Sequence, residues 1–370
     1  MISNYKPYKI KYSKKYIIEA IDGDIISWSG KYVNKCERLL SKITKIPYVL
    51  LTNNGTAATH CIIKAIKYKY PTCKKIYIPN NCYIAVYNTV LLEYDKTNIE
   101  ILPIDNETLN INLNILNDLE LNAGLVLVHN LGNIIPVHEI RKLRPDLIIV
   151  EDNCEGFMGK YNKQYTGTMC LASSISFYPN KHITCGEGGA FMTHDLDVFN
   201  FIKKFCRQGQ TEKKFIHDIL GVNYRITNLQ SAMLYGQLEL LDEILKLKVD
   251  NYNKYILYLN KYIKCGKIVI QKNKSNTEQS YWMFAIIIKG NKSYKKICNY
   301  LISNNIDSRP FFYDISFHKH LCNIKKINTR LYLTTNIHNE VVILPSYPEL
   351  TDENIQYICK TICNYIDTEV

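Results

Sequence analysis

The chain lacks several things that would place it in a class at once. It has no run of about 18 or more apolar residues, the length a membrane-spanning helix needs. Its start, Met1-Ile-Ser-Asn-Tyr-Lys, is too polar for a secretory leader, so a cytoplasmic location is the expectation. Thirteen cysteines are present, yet no two form a CxxC pair and no spacing recurs. That pattern argues for reduced structural thiols rather than a zinc site or a disulfide framework. Cys359 and Cys363 stand four apart, which suits one face of a helix. Internal repeats and low-complexity linkers are also missing.

Charge of one sign is in modest excess: 46 basic against 34 acidic residues leaves a formal +12. The lysines are nevertheless dispersed (Lys11, Lys14, Lys15, Lys74, Lys75, Lys203, Lys204). No arginine-rich tract or aromatic-basic motif gathers them, which argues against a nucleic-acid partner. A basic field also steers a nucleotide diphosphate, so a nucleotide-bearing substrate is compatible with it. A length of 370 residues accommodates a large domain and a smaller one, each with its own core.

Short β-branched runs recur along the first half: 48–51, 75–78, 99–103, 124–128, 147–150 and 189–193. Helical patterns lie between several of them, at 33–45, from Gly55 through Ile66, at 83–92 and at 136–143. Such alternation predicts an α/β fold with a doubly wound, mostly parallel sheet. A long amphipathic helix is expected at 228–247, with Leu229, Met233, Leu234, Leu238, Leu241 and Leu245 on one face. Beyond it, strands at 280–288 and 341–344 and helices at 293–303 and 351–366 predict a compact α+β unit. The expected division is therefore residues 1–248 and 249–370.

One segment concentrates the chemistry. Ser173 through Gly189 places Lys181 between a strand and a Gly-rich turn. A lysine becomes a nucleophile only when its surroundings free it of its proton, as a packed strand end can. Upstream, Leu147-Ile-Ile-Val-Glu151-Asp152 reads as a buried strand ending in two carboxylates. A lysine to bond an aldehyde and an aspartate to pair with a pyridinium nitrogen are what pyridoxal phosphate (PLP) chemistry requires. Leu51-Thr-Asn-Asn-Gly55-Thr56 reads as strand, turn and helix start, a phosphate cradle or simply a capped helix. Asp152 alone is equally a helix cap or salt-bridge partner. Ser176 offers a hydroxyl near Lys181, or is an alternating strand residue sharing a face with Ser174. Tyr83 is placed to stack on a ring, or to pack like most of the 29 tyrosines.

Taken together the motifs resemble the DegT/StrS-type sugar-nucleotide aminotransferases. They are Asn54-Gly-Thr-Ala-Ala58, Glu151-Asp152-Asn-Cys-Glu155-Gly-Phe-Met-Gly159 and Ser176-Phe-Tyr-Pro-Asn-Lys181. Further matches are Gly221-Val-Asn223-Tyr-Arg225, Ser308-Arg309-Pro-Phe-Phe-Tyr313 and Leu344-Pro-Ser-Tyr-Pro-Glu-Leu350. The likeness runs from about residue 17 to the end. It implies a fold-type I PLP-dependent transferase, with a large domain on a mostly parallel central sheet and a smaller C-terminal α+β domain. It also implies a homodimer with shared active sites. In that frame Lys181 bonds the cofactor, Asp152 pairs with its pyridinium, and Gly55, Thr56 and Ser176 hold its phosphate. Tyr83 lies against the ring and Glu155 near the phenolic oxygen, while Asn223 reaches the neighbouring subunit's cofactor. Trp28, His217, Arg225 and Arg309 are the candidate substrate contacts.

Dehydratase relatives have histidine where Lys181 stands, so the lysine implies transamination. The implied reaction moves an amino group from L-glutamate to C4 of a nucleotide-linked 4-keto-6-deoxyhexose. A viosamine-type product on UDP or dTDP is expected, with GDP-perosamine, 3-amination or dehydration as alternatives, and a catalytically silent regulator as the non-enzyme alternative. One departure from the family is Tyr313-Asp314-Ile-Ser316, where Pro and His frequently follow Arg-Pro-x-Phe-Tyr.

Overall fold

The computed structural model describes residues 1–291, 293–327 and 337–369. The central sheet draws its strands in chain order from β1 (Tyr48–Thr52), β2 (Ile76–Pro79), β3 (Ile99–Leu102), β4 (Gly124–Val128) and β5 (Ile148–Asp152). A small hairpin, β6 (Lys160–Tyr161) and β7 (Gln164–Tyr165), intervenes before β8 (Ala172–Ser176) and β9 (Gly189–Thr193) return to the sheet. The apolar run of β4 is buried at every residue, as a strand covered on both faces must be. Helices α1 (Lys14–Asp22), α2 (Lys31–Thr44), α3 (Gly55–Lys69), α4 (Ile84–Leu91), α5 (Val137–Leu143) and α6 (Leu196–Phe205) belong to this part of the chain.

The expected 228–247 helix is two helices. Thr227 and Gln230 form a reciprocal capping box that starts α7 (Asn228–Glu239). Leu240 then leaves helical geometry (φ −96°, ψ 1°), and α8 (Leu241–Lys264) follows at once. Residue 248 lies inside α8, and the packing changes there. Leu241 and Ile244 join the core around Leu40, Ile175 and Phe177. Tyr255, Leu259 and Tyr262 join a second core with Phe284, Ile297, Val342 and Ile358.

That second core belongs to a four-stranded antiparallel sheet. Its members are β10 (Ile268–Ile270), β12 (Phe284–Ile288), β13 (Arg309–Pro310) and β15 (Val341–Leu344), while β11 (Thr277–Glu278) pairs with the small hairpin. Helices α9 (Tyr294–Ser303), α10 (Ile337–Glu340) and α11 (Asp352–Glu369) accompany it. The strand expected from residue 280 begins at Phe284, because Tyr281 takes the left-handed φ of 58° that a strand does not accept. Ile2 bridges to Ile306, so the extreme N-terminus packs with the C-terminal lobe.

One strand of the central sheet has no signal in the sequence pattern. β14 (Lys325–Lys326) returns from the C-terminal lobe to pair in parallel with β3. Two adjacent lysines carry no alternation. They join because Glu100, buried on β3, accepts from Lys325 at 2.7 Å and Lys75 at 2.8 Å. The completed order is β1-β9-β8-β5-β4-β2-β3-β14. Only β9 runs against its neighbours; the pairings from β8 to β14 are parallel. The sheet is thus α/β and mostly parallel, as expected.

Candidate active site

The carboxyl ends of β1, β2, β4, β5 and β8 open on one edge of the sheet, where ligands of open α/β folds bind. There lies a cleft of about 520 Å³. Its floor comes from the sheet and its facing wall from the C-terminal lobe, through Trp282, Met283, Arg309, Pro310, Phe312 and Ile343.

Each floor residue has a local cause. Asn54 caps α3 by accepting from the Ala57 N–H at 2.8 Å. The N–H groups of Gly55 and Thr56, in the first turn, have no acceptor within the helix. Glycine is required at 55 by close approach: a Cβ there would lie 2.6 Å from Ser176 Cβ. Asp152 ends β5, buried, and is held by the Cys154 N–H at 3.0 Å with the Thr59 hydroxyl at 3.5 Å. Glu155 is buried three residues on, accepting from the Leu131 N–H at 2.8 Å. Burial pushes its carboxyl up to about 7, against the opposing pull of Lys181.

Lys181 sits on a turn closed by its own N–H to the Tyr178 carbonyl at 2.9 Å. Its Nζ lies 3.9 Å from the centroid of the Trp282 ring. The next residue, His182, turns away from the cleft and donates from Nε2 to the Ser280 carbonyl at 2.6 Å. Burial drives that imidazole down to about 3, so it stays neutral. Behind Asp152, His129 and Glu151 pair at 2.9 Å, both fully buried. His129 Nδ1 accepts from the Ile135 N–H, so Nε2 carries the proton given to Glu151.

Of the residues named from sequence, Gly55, Thr56, Tyr83, Asp152, Glu155, Ser176, Lys181 and Arg309 line this one cleft. Trp28, His217, Asn223 and Arg225 do not. The segment carrying the last three is tied along β1, through a Thr52–Arg225 bridge and the Asn53 N–H to the Tyr224 carbonyl. Asn223 is exposed there and accepts from Arg225 Nε at 2.8 Å. The guanidinium groups of Arg207 and Arg225 both lie over the Trp28 ring, at 4.3 and 5.5 Å from its centroid. His217 Nδ1 bonds the Gln208 carbonyl.

Sequence reasoning missed Trp282, Asn180 and Arg207. Asn180 was quoted inside the lysine motif, and its Oδ1 is buried with no partner among the described residues. The departure at Asp314 now has an explanation. Its carboxylate accepts from Asn80 Nδ2 at 2.6 Å and from Lys326 at 2.8 Å, fastening the loop that bears Phe312 to the turn before Tyr83.

Comparison with known proteins gives the family of the chain. The profile of the DegT/DnrJ/EryC1/StrS aminotransferase family matches residues 7–363. The chain belongs to that family. A GDP-perosamine synthase of Escherichia coli O157:H7 is 28% identical over 367 residues, covering 97% of this chain and 96% of the relative. One from Vibrio cholerae is 28% identical over 380 residues, covering 99% and 100%. The E. coli GDP-4-keto-6-deoxy-D-mannose-3-dehydratase, solved with bound hydrated PLP, superposes with a TM-score of 0.87 at 20% identity. That superposition covers 98% of this chain and 99% of the other. The chain is therefore a PLP-dependent, fold-type I sugar-nucleotide aminotransferase. The expected viosamine type on UDP or dTDP finds no support among these relatives.

The cleft fits the cofactor. A close-packed glycine beside a hydroxyl at a helix N-terminus suits a phosphate, and the orphaned Asn180 oxygen leaves one polar atom for a ligand.

Proposed function

We propose that the chain transfers the amino group of L-glutamate to C4 of a GDP-linked 4-keto-6-deoxyhexose, giving a GDP-perosamine-type product. The observation that carries this is the placement of Lys181, rather than histidine, in one cleft with Asp152 and Glu155. The GDP reading rests on the two GDP-perosamine synthases, each matched nearly end to end.

PLP, when bound, supplies an electron sink for the carbanion at the donor's Cα. Around it the residues divide the work. The N–H groups of Gly55 and Thr56 and the Ser176 hydroxyl would hold its phosphate. Asp152, fixed by the Cys154 N–H and Thr59, would keep its pyridine nitrogen protonated. Tyr83 would cover its ring. Lys181 would be the base that takes the proton from the donor's Cα and the acid that gives it back, acting in the opposite sense on the sugar. Glu155 would stand by its phenolic oxygen, and its neutral acid form, favoured up to about pH 7, would offer that oxygen a hydrogen-bond donor.

We further infer a homodimer in which Asn223, with Trp28, His217 and Arg225, serves the partner's cleft. Those residues lie outside their own cleft, among the exposed apolar side chains Ile25, Ile26, Phe215, Ile216 and Leu220. Arg309, in the cleft wall, contacts substrate of its own subunit.

The test is incubation of the purified protein with glutamate and a panel of GDP-, UDP- and dTDP-linked 4-keto sugars, with NMR of the product. Nitrogen on C4 of the GDP sugar is expected. A 3-amino or 3-deoxy product, or exclusive use of UDP or dTDP sugars, would overturn the proposal.

A further inference from the structure

Lys248 is buried on α8 where the packing passes from one lobe to the other, and no carboxylate pairs with it among the described residues. Its ammonium donates to two main-chain carbonyls, that of Trp282 at 2.7 Å and that of Ser346 at 2.6 Å. An ammonium taken out of water without a counter-ion is costly, and burial alone brings its pKa down to about 7. Methionine would fill the same space without the charge but would leave both carbonyls without their donor. A role for those two bonds is therefore to be sought in what the two partners do.

Ser346 knots the ends of two strands: its hydroxyl accepts from the Phe284 N–H at 2.8 Å and donates to the Leu344 carbonyl at 2.7 Å. Trp282 leads out of the left-handed turn at Tyr281 and faces the cleft. Its indole N–H donates to the carbonyl of Asn180 at 2.8 Å, and its ring face meets the Lys181 amine. The indole is thus held at its main chain by Lys248 and at its ring by the residue preceding Lys181.

We propose that Lys248 is a positioning residue for amino transfer: by drawing the Trp282 and Ser346 carbonyls together, it sets the indole face against the Lys181 amine. This rests on the reading of Lys181 as the reacting amine. An ammonium is attracted to an indole face, and the attraction exists only while the amine is free and charged. The ring therefore gives Lys181 a fixed resting place whenever it is not covalently engaged. Without it, the amine is free to swing towards Glu155. Displacements of about 1 Å in a reacting group cost roughly a hundredfold in rate, so such a support is mechanistically significant.

The chain has two tryptophans, so in a Trp28→Phe background the emission reports Trp282 alone. Lys248→Met and Lys248→Arg are compared there by emission, with and without PLP, while their kinetics are measured with Trp28 in place. Lys248→Met should shift the emission to longer wavelength and lower kcat about tenfold, leaving KM for glutamate within about twofold. Lys248→Arg, which keeps the donors, should restore both. Trp282→Leu should cost a similar factor and Trp282→Phe less, because Phe keeps a ring face. Adding Lys248→Met to Trp282→Leu should cost little more. A folded Lys248→Met with unaltered emission, or costs that multiply in the double variant, would refute the proposal. If Lys248→Met does not fold, Trp282→Leu still decides: wild-type kcat there refutes it. Normal turnover by Lys181→Ala would instead sink the reading of Lys181, leaving the emission result to stand alone.

Discussion

The two walls of the cleft are built in different ways. The floor consists of short motifs at strand ends, and its main-chain anchors include bonds from neighbours a few positions away. Cys154 holds Asp152 and Asn54 caps its own helix. The opposite wall is assembled from distant pieces. Trp282 is set by Lys248, 34 residues before it, and by Asn180, 102 residues before it. In the proposed mechanism the floor carries the chemistry and the wall positions it. Variants that strike the floor should act on rate directly, and variants of the wall through geometry.

The largest effect expected from the floor, short of removing Lys181, is that of Asp152→Asn. Losing the charge that keeps a pyridine nitrogen protonated should lower kcat by about a hundredfold or more. Steady-state kinetics at saturating PLP would check this, and a loss under fivefold would mean that the floor is not where the electron sink is tuned. Gly55→Ala comes next. The new Cβ would press on Ser176, with backbone there as well at 3.3 Å. A destabilisation of about 1–3 kcal/mol is expected from overpacking, together with weaker PLP binding. Calorimetry and a PLP titration would measure the two. An alanine variant that melts and binds as the wild type does would break the claim of close approach.

An effect on stability alone is a pH dependence at Glu155. Folding raises its pKa from the ordinary 4.5 to about 7, so the folded state holds the proton more tightly. The resulting stability is complete below pH 4.5 and is lost as pH rises through 7. Glu155→Gln does not titrate. Its stability relative to the wild type should therefore grow between pH 5 and pH 8, by at most about 3 kcal/mol. Denaturant titration of the PLP-free chain at both pH values gives the answer, and an unchanged difference would show that Glu155 is charged throughout.

The same contrast explains what could be read from the sequence. The parallel strands were legible because a strand buried on both faces is a continuous apolar run, as in 124–128. Gly55, Asp152 and Lys181 were legible because strand–turn–helix chemistry is local. β14 was not, since two lysines joined to a sheet by Glu100 have no periodicity of their own. Nor was the break at Leu240, which interrupts an apolar stripe without a proline or glycine. Trp282 looked like one more residue of an extended strand, and Tyr281 gives no warning of its left-handed backbone. Arg207, outside every quoted motif, is defined only by its packing on Trp28.

The central claim is that Lys181, by moving the proton in each half of the reaction, is required for nitrogen to pass from glutamate to the sugar. The direct measurement supplies ¹⁵N-glutamate and a GDP-linked 4-keto-6-deoxyhexose to the wild type and to Lys181→Ala, and follows the label by NMR. The account predicts ¹⁵N on C4 of the sugar with the wild type and none with Lys181→Ala. Label on that carbon at a near-normal rate without the lysine would contradict it.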